Sequence, residues 1–120
     1  YMCVQEEGFT HGELEKIMNE ADMLVAPSIW YETFGFTVLE ALSYGLPVIV
    51  SDHVGAKDIV GKAGIIIKAG NIDDLESTLE KLINSPETLA DLKTEAEKNK
   101  IKTWEQFVDE NYQLYRKLIK

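Results

Sequence analysis

Three short apolar runs constrain the fold of this chain more than any other feature of its sequence. They lie near 23–26, 47–51 and 64–68, and stretches with helical periodicity separate them. Runs this short and this apolar are typical of strands buried on both faces. Strands that alternate with helices form parallel βαβ units. The predicted fold class is α/β: a partial Rossmann-like, three-layer domain with a short parallel sheet and helices on both faces. Residues 1–4 are a candidate for a further strand.

Helix-start signals follow the third apolar run, and no further strand does. Asn71 is a candidate cap, Ser85-Pro86 ends one helix and begins another, and Thr103 with Gln106 offers a capping box. We therefore expect a helical C-terminal tail, with Met23 and Phe107 in the core. The last helix is expected to pack through one apolar face, formed by Phe107, Leu114, Tyr115 and Leu118. Since no linker interrupts the pattern, residues 1–120 are predicted to form a single domain.

The charge of the chain is concentrated in its first half. The 120 residues carry a net charge of −9, and residues 1–56 hold nine acids against one base, Lys16. Such a surface repels nucleic acid and an anionic membrane, so we expect the isolated chain to bind neither. No apolar run approaches the roughly 20 residues of a membrane span. The single cysteine, Cys3, fits a reducing compartment, and a cytoplasmic location is expected.

The segment after the first predicted strand combines the features of a phosphate site. In a parallel sheet, ligands bind outside the carboxyl ends of the strands, where this loop must lie. Gly35 lets the backbone approach a bound group closely. The main-chain N–H groups of Phe36, Thr37 and Val38 at the following helix start have no helical acceptor and favour an anion. The sequence therefore predicts a phosphate cradle without a basic side chain.

Two carboxylates frame that cradle. Glu32 precedes the helix and Glu40 lies eight positions later, a span of about 10 Å at the helical rise per residue. Carboxylates accept hydrogen bonds from hydroxyl groups and do not suit phosphates. One carboxylate can therefore bind sugar hydroxyls and the other ribose hydroxyls, with a diphosphate between them. The alternative is that both are surface acids favoured by the helix dipole.

These residues resemble a known family. Residues 27–41, with two glutamates separated by seven residues, resemble the donor-binding signature of GT-B retaining glycosyltransferases of the family 4 type, the "group 1" glycosyltransferases. The similarity covers roughly residues 9–118. In one turn the chain departs from the family: it reads Gly55-Ala56-Lys57-Asp58 where the family often has Gly-Gly followed three residues later by Glu. Other matching segments are Ala21-Asp22, Gly45-Leu46-Pro47-Val48-Ile49, Gly64-Ile65-Ile66 and the helix with Asp73, Asp74 and Leu75.

The resemblance implies a role for each residue of the signature. Glu32 would contact the hydroxyls of the donor sugar and assist retaining transfer as the catalytic residue. Phe34, Gly35, Phe36 and Thr37 would line the diphosphate site, largely through the backbone, and Glu40 would bind the ribose. The reaction would move a sugar from a nucleoside diphosphate sugar to a hydroxyl acceptor. The nucleotide sugar would be a substrate, and neither a cofactor nor a metal would take part.

The resemblance also implies a larger parent protein. In the family, an Arg and a Lys that neutralise the diphosphate, and the acceptor-binding N-terminal domain, precede the stretch represented by this chain. We therefore expect the chain to be the distal part of a C-terminal donor-binding domain. Its partner would be the N-terminal half of the parent enzyme, without which we expect no activity. A parent peripheral to the membrane is compatible with this expectation.

Other interpretations stay open at this point. Asp52 ends the second predicted strand, which also suits a receiver-type phosphoacceptor domain with Glu6 and Glu7 holding Mg²⁺, although the tail lacks the further strands. A module that binds a nucleotide or sugar without turnover is the third hypothesis. Trp30 and Tyr31 either stack on a ligand or fold back on their own domain. His53 follows the second strand without an obvious partner and is interpreted as solvated or structural.

Overall fold

A computed structural model describes residues 8–99 and 101–119, and its centre is a three-stranded parallel sheet. The strands are β1 (Leu24–Ala26), β2 (Val48–Ser51) and β3 (Gly64–Ile67), in the spatial order β1-β2-β3. Both neighbouring pairs are parallel. The strands predicted near 23–26, 47–51 and 64–68 are thus confirmed, and the candidate strand at 1–4 lies outside the described residues.

The described residues form six α-helices around the sheet. Short 3₁₀ turns lead into the first helix (His11–Glu13) and into β3 (Gly61–Ala63). The helices are α1 (Leu14–Glu20), α2 (Phe36–Ser43), α3 (Lys57–Val60), α4 (Ile72–Asn84), α5 (Pro86–Lys98) and α6 (Trp104–Leu118).

The central strand β2 is covered on both faces, which explains its unbroken apolar sequence. Val48 and Val50 belong to a core that α1 and α2 complete, with Leu42 as its largest fully buried side chain. Ile49 points to the opposite face, where it packs with Leu82 of α4. Side chains alternate between the faces of a strand, so a strand between two helical layers must be apolar at every position. The three-layer α/β architecture is therefore confirmed.

The caps predicted at Asn71 and Thr103 are observed, and Thr10 and Glu13 form a further pair of hydrogen bonds at the start of α1. Asn71 accepts from the Asp74 N–H at 3.1 Å, and Thr103 forms a reciprocal capping box with Gln106. At α1 the carboxylate of Glu13 accepts from both the N–H and the hydroxyl of Thr10 at 2.8 Å. The hydroxyl therefore donates where a full capping box would have it accept. The two bonds stabilise the ionised form and lower the pKa of Glu13.

The packing predicted for the last helix is wrong. α6 forms as expected, but none of its residues is buried, and Phe107, expected in the core, is 47% exposed. An amphipathic pattern predicts that a helix has an apolar face. The pattern does not specify which surface covers that face. Met23, the other expected core residue, is half-buried against the cluster around Ile49. Among the described residues, no helix is long and apolar enough to cross a membrane.

Candidate functional site

Two loops at the carboxyl edge of the sheet are joined by main-chain hydrogen bonds. One loop follows β1 and carries Glu32, and the other follows β2. The Glu32 N–H donates to the His53 carbonyl at 3.0 Å, and the Gly55 N–H donates to the Glu32 carbonyl at 3.1 Å. These bonds form an isolated parallel bridge between Glu32 and Val54. The backbone of Glu32 is therefore tied to the sheet, although its loop has no other regular structure.

Two glycines allow these loops to approach closely. A Cβ on Gly55 would lie 2.2 Å from the carbonyl oxygen of Thr33, so only glycine fits. Gly35 has a φ of 93°, and a Cβ there would lie 2.7 Å from Cγ1 of buried Val54. The same Cβ would lie 3.3 Å from Oε2 of Glu32. The Glu32 carboxylate therefore lies beside the backbone at the start of α2, where the sequence predicts that Gly35 lets a bound group approach closely.

The start of α2 offers two free main-chain donors where the sequence predicted three. Gly35 is the cap residue, and no side chain caps the helix. The Val38 N–H donates to the Gly35 carbonyl at 3.0 Å. The prediction that this N–H is free to bind an anion is therefore wrong. The N–H groups of Phe36 and Thr37 have no acceptor in the described part of the chain. These two donors lie at the positive end of the helix dipole and favour an anion.

The carboxylates of Glu32 and Glu40 are available to a ligand. Glu32 is exposed, and Glu40 is half-buried on the second turn of α2. Neither forms a salt bridge with another described residue. Both therefore keep acceptor oxygens that hydroxyl groups of a ligand could use.

A mostly apolar cavity lies to one side of the site. Its volume is about 750 Å³, and the side chains of Phe34 and Phe36 form one wall. Neither Glu32 nor Glu40 lines it. The side chains of Phe34 and Phe36 therefore lie against this cavity, away from Glu32 and Glu40. The remaining lining residues are mostly apolar but include three polar ones: Leu39, Ile59, Asn99, Ile101, Lys102, Thr103, Trp104 and Phe107.

His53 has partners that the sequence did not reveal. Its ring stacks on Tyr31 with centroids 3.9 Å apart and planes inclined by 20°. Its Nδ1 lies 3.0 Å from the carbonyl oxygen of Ile29, 24 positions earlier in the chain. Tyr31 thus folds back on its own domain while it stays 82% exposed, and Trp30 is 77% exposed. No local pattern could have indicated a contact between two loops so distant in sequence.

Asp52 and Lys57 brace the turn after β2. Lys57 donates its Nζ proton to the Asp52 carbonyl, and the Asp52 carboxylate accepts from the Ala69 N–H at 2.8 Å. That bond, aided by the nearby His53 and Lys57, lowers the pKa of Asp52. The described residues contain no group of three His, Cys, Asp or Glu side chains that could hold a metal ion. Glu6 and Glu7, which the receiver-type hypothesis requires, lie outside the described residues.

Solved structures share this fold. The chain superimposes on sucrose-phosphate synthase from Thermosynechococcus elongatus with a TM-score of 0.71 at 24% identity, covering 92% of this chain and 29% of the synthase. It superimposes on Anabaena HepE, solved in complex with UDP, with a TM-score of 0.62 at 22% identity, covering 86% and 29% of the two chains. At these identities the likeness is one of fold.

The sequence itself matches a family and several curated proteins. It is 31% identical over 107 residues to D-inositol 3-phosphate glycosyltransferase of Rhodococcus erythropolis, covering 87% of this chain and 24% of that protein. It is 37% identical over 81 residues to sulfoquinovosyl transferase SQD2 of Arabidopsis thaliana, covering 63% and 16%. The chain thus spans a quarter or less of these two relatives. Residues 7–99 match the sequence model of the family described as Glycosyl transferases group 1. The chain belongs to the glycosyl transferases group 1 family.

Proposed function

We propose that this chain is the donor-binding part of a retaining glycosyltransferase that moves a sugar from a nucleoside diphosphate sugar to a hydroxyl acceptor. One observation carries the proposal: the Glu32 carboxylate lies beside Gly35, next to the free N–H groups of Phe36 and Thr37. Family membership supports a glycosyl transfer role, and the UDP bound by the structural neighbour HepE supports a nucleotide donor. Membership also argues against the receiver-type hypothesis for Asp52.

In this proposal the donor lies along the start of α2. Its diphosphate accepts hydrogen bonds from the N–H groups of Phe36 and Thr37, where the helix dipole favours negative charge. Glu32 accepts hydrogen bonds from hydroxyls of the donor sugar, and Glu40 accepts them from the ribose. The carboxylate of Glu32 also stabilises the positive charge that develops at the anomeric carbon as the bond to the phosphate oxygen breaks.

The charge of the chain indicates that a partner completes the site. Residues 1–56 hold one base against nine acids, and Lys57 is engaged with the Asp52 carbonyl. Two main-chain donors do not neutralise a diphosphate. We propose that the balancing cations and the acceptor site belong to an N-terminal half of a longer, cytoplasmic parent protein. The 120-residue chain alone should then show no transfer, and turnover of any nucleotide sugar by it would contradict this part of the proposal.

The decisive experiment substitutes each carboxylate in the full-length protein that contains this chain. Hydrogen bonds to charged groups contribute about 1.5–3 kcal/mol, so Glu32→Gln and Glu40→Gln should each lower kcat/KM by about 10-fold to 100-fold. Glu32→Gln should act mainly on kcat, and Glu40→Gln mainly on the KM for the nucleotide sugar. The control is Glu20→Gln, because Glu20 is exposed on α1 and pairs only loosely with Lys16 at 3.9 Å.

Each competing interpretation has its own outcome. If both variants keep the kcat/KM of the wild type, the assigned roles are wrong. Binding of a nucleotide sugar without transfer to any acceptor would favour the non-catalytic module. Covalent phosphate on Asp52 after exposure to a small-molecule phosphodonor and Mg²⁺ would favour the receiver-type domain. The proposed reaction needs no metal, so excess EDTA should leave the transfer rate unchanged.

A further inference from the structure

The loop that carries Glu32 contacts one residue, His53, at three positions. His53 contacts three of the four residues from Ile29 to Glu32: its Nδ1 approaches the Ile29 carbonyl, its ring stacks on Tyr31, and its own carbonyl accepts from the Glu32 N–H. The half-buried His53 follows β2 and is fixed by the sheet, whereas Tyr31 is 82% exposed. The exposed loop is therefore held in part by its contacts with His53, and the Ser51 hydroxyl donates a further hydrogen bond to the Ser28 carbonyl at 2.6 Å.

The chemistry of the contact indicates which ring nitrogen of His53 carries a proton. A carbonyl oxygen can only accept a hydrogen bond, so Nδ1 of His53 carries a proton and donates it to Ile29. The bond fixes one edge of the ring, and the stack on Tyr31 fixes its plane. The ring therefore contacts the loop just before Glu32, at Ile29 and Tyr31, and the main chain of His53 contacts Glu32 itself.

The two residues after His53 pack against the segment that follows Glu32. Gly55 touches the backbone of Thr33, and Val54 is buried beneath Gly35. A displacement of residues 53–55 would therefore move the segment 32–35 as well. Because the Glu32 carboxylate lies beside Gly35, its position depends on the same contacts.

We propose that His53 is a positioning residue for Glu32, which it holds in its productive orientation through Ile29, Tyr31 and the Glu32 backbone. This role rests on the proposed function of Glu32. It goes beyond that function because His53 acts without touching the donor. Misplacement of a catalytic group by about 1 Å can lower a rate by about 100-fold, so loss of the imidazole should affect kcat more than KM.

Three substitutions in the full-length protein separate the two parts of the contact. His53→Phe keeps a ring to stack on Tyr31 and loses the donor, His53→Asn keeps a donor near the position of Nδ1 and loses the ring, and His53→Ala loses both. We expect kcat to fall about 10-fold or more in His53→Ala, with intermediate losses in the other two and a KM for the nucleotide sugar within about twofold of the wild type.

Two comparisons distinguish a positioning role of His53 from a general effect of its substitution on stability. Leu79→Ala removes packing from the second core, on the opposite face of the sheet, and should lower the free energy of unfolding without changing kcat. Tyr31→Ala should lower kcat like His53→Asn, because each removes the stack between the two rings. The double variant Tyr31→Ala/His53→Asn should therefore be no slower than the slower single variant. Additive losses, or equal losses in Leu79→Ala, would overturn the proposal.

An independent measurement tests the geometry without activity. In nitrogen-15 NMR of the 120-residue chain, Nδ1 of His53 should carry a proton, and a proton at Nε2 alone would overturn the proposal. The outcomes also separate the two levels of inference. If Glu32→Gln lowers kcat and His53→Ala does not, only the positioning role fails. If Glu32→Gln has no effect, the proposed function fails.

Discussion

The loops at the carboxyl edge of the sheet and the last helix, α6, are held in opposite ways. The loops have one bridge as their only regular pairing, yet they bury Val54 and Ala56 and bring Gly55 against Thr33. α6 has fifteen residues and a complete capping box, yet none of its residues is buried. Regular structure therefore follows from local sequence, while position follows from contacts between distant residues. The candidate catalytic residue lies in the region that such contacts fix.

Leucine-to-alanine substitutions in the core and in α6 should give the largest difference in the free energy of unfolding. Leu42 of α2 is 1% exposed and Leu114 of α6 is 53% exposed. Leu42→Ala should lower the free energy of unfolding by about 2–5 kcal/mol, because it leaves a cavity in the main core. Leu114→Ala should change it by no more than about 0.5 kcal/mol. Urea denaturation of the two variants measures both values.

A large loss in Leu114→Ala would break the comparison, since it would mean that α6 packs against another surface in solution. Repeating the measurement at two protein concentrations would show whether that surface is a second copy of the chain. A stability that rises with concentration identifies self-association.

Glycine substitutions test the contact between the loops at a smaller scale. A methyl group on Gly55 would meet the Thr33 carbonyl oxygen at 2.2 Å, so Gly55→Ala should cost about 1–3 kcal/mol of stability. Gly12 has no atom within 4 Å of the position of its Cβ, and Gly12→Ala should be close to neutral. Thermal unfolding of both variants provides the measurement. Equal midpoints would show that the two loops do not approach each other this closely.

The sequence could predict the strands, the caps and the site loop because each has a local cause. An apolar run between two helical layers must be a buried strand, and Asn71 and Thr103 bond to residues three positions away. Gly35 was predicted to let a bound group approach the backbone, which stays a prediction; in the structure its φ of 93° and the nearby Val54 already require a glycine there.

The remaining features could not be predicted because their causes are not local. The partners of His53 lie 22 and 24 positions earlier, on another loop, and periodicity contains no information about such contacts. The exposure of Phe107 depends on which surface covers α6, and the pattern of the helix does not specify one.

The smallest predicted contrast is between two carboxylates whose pKa values are both lowered. The pKa of Asp52 is lowered first by the hydrogen bond from the Ala69 N–H, which joins two loops of the sheet edge. The pKa of Glu105 is lowered by its own main-chain N–H and by the Thr103 hydroxyl, both within α6. A carboxylate with a lowered folded pKa contributes stability above its ordinary pKa and loses it as the pH falls through the folded value. The ionised Asp52 should therefore stabilise the chain against global unfolding, whereas the ionised Glu105 should stabilise α6 alone.

Asp52→Asn should accordingly reduce the stability of the chain at neutral pH, and the difference from the wild type should shrink as the pH falls below the ordinary value of 3.8. Glu105→Gln should leave global unfolding unchanged at every pH and speed amide hydrogen exchange only within α6. Urea denaturation between pH 7 and pH 2.5, with hydrogen exchange at pH 6, separates the two effects. If Glu105→Gln altered global unfolding as much as Asp52→Asn does, α6 would unfold together with the sheet, and the contrast between the two regions would not hold.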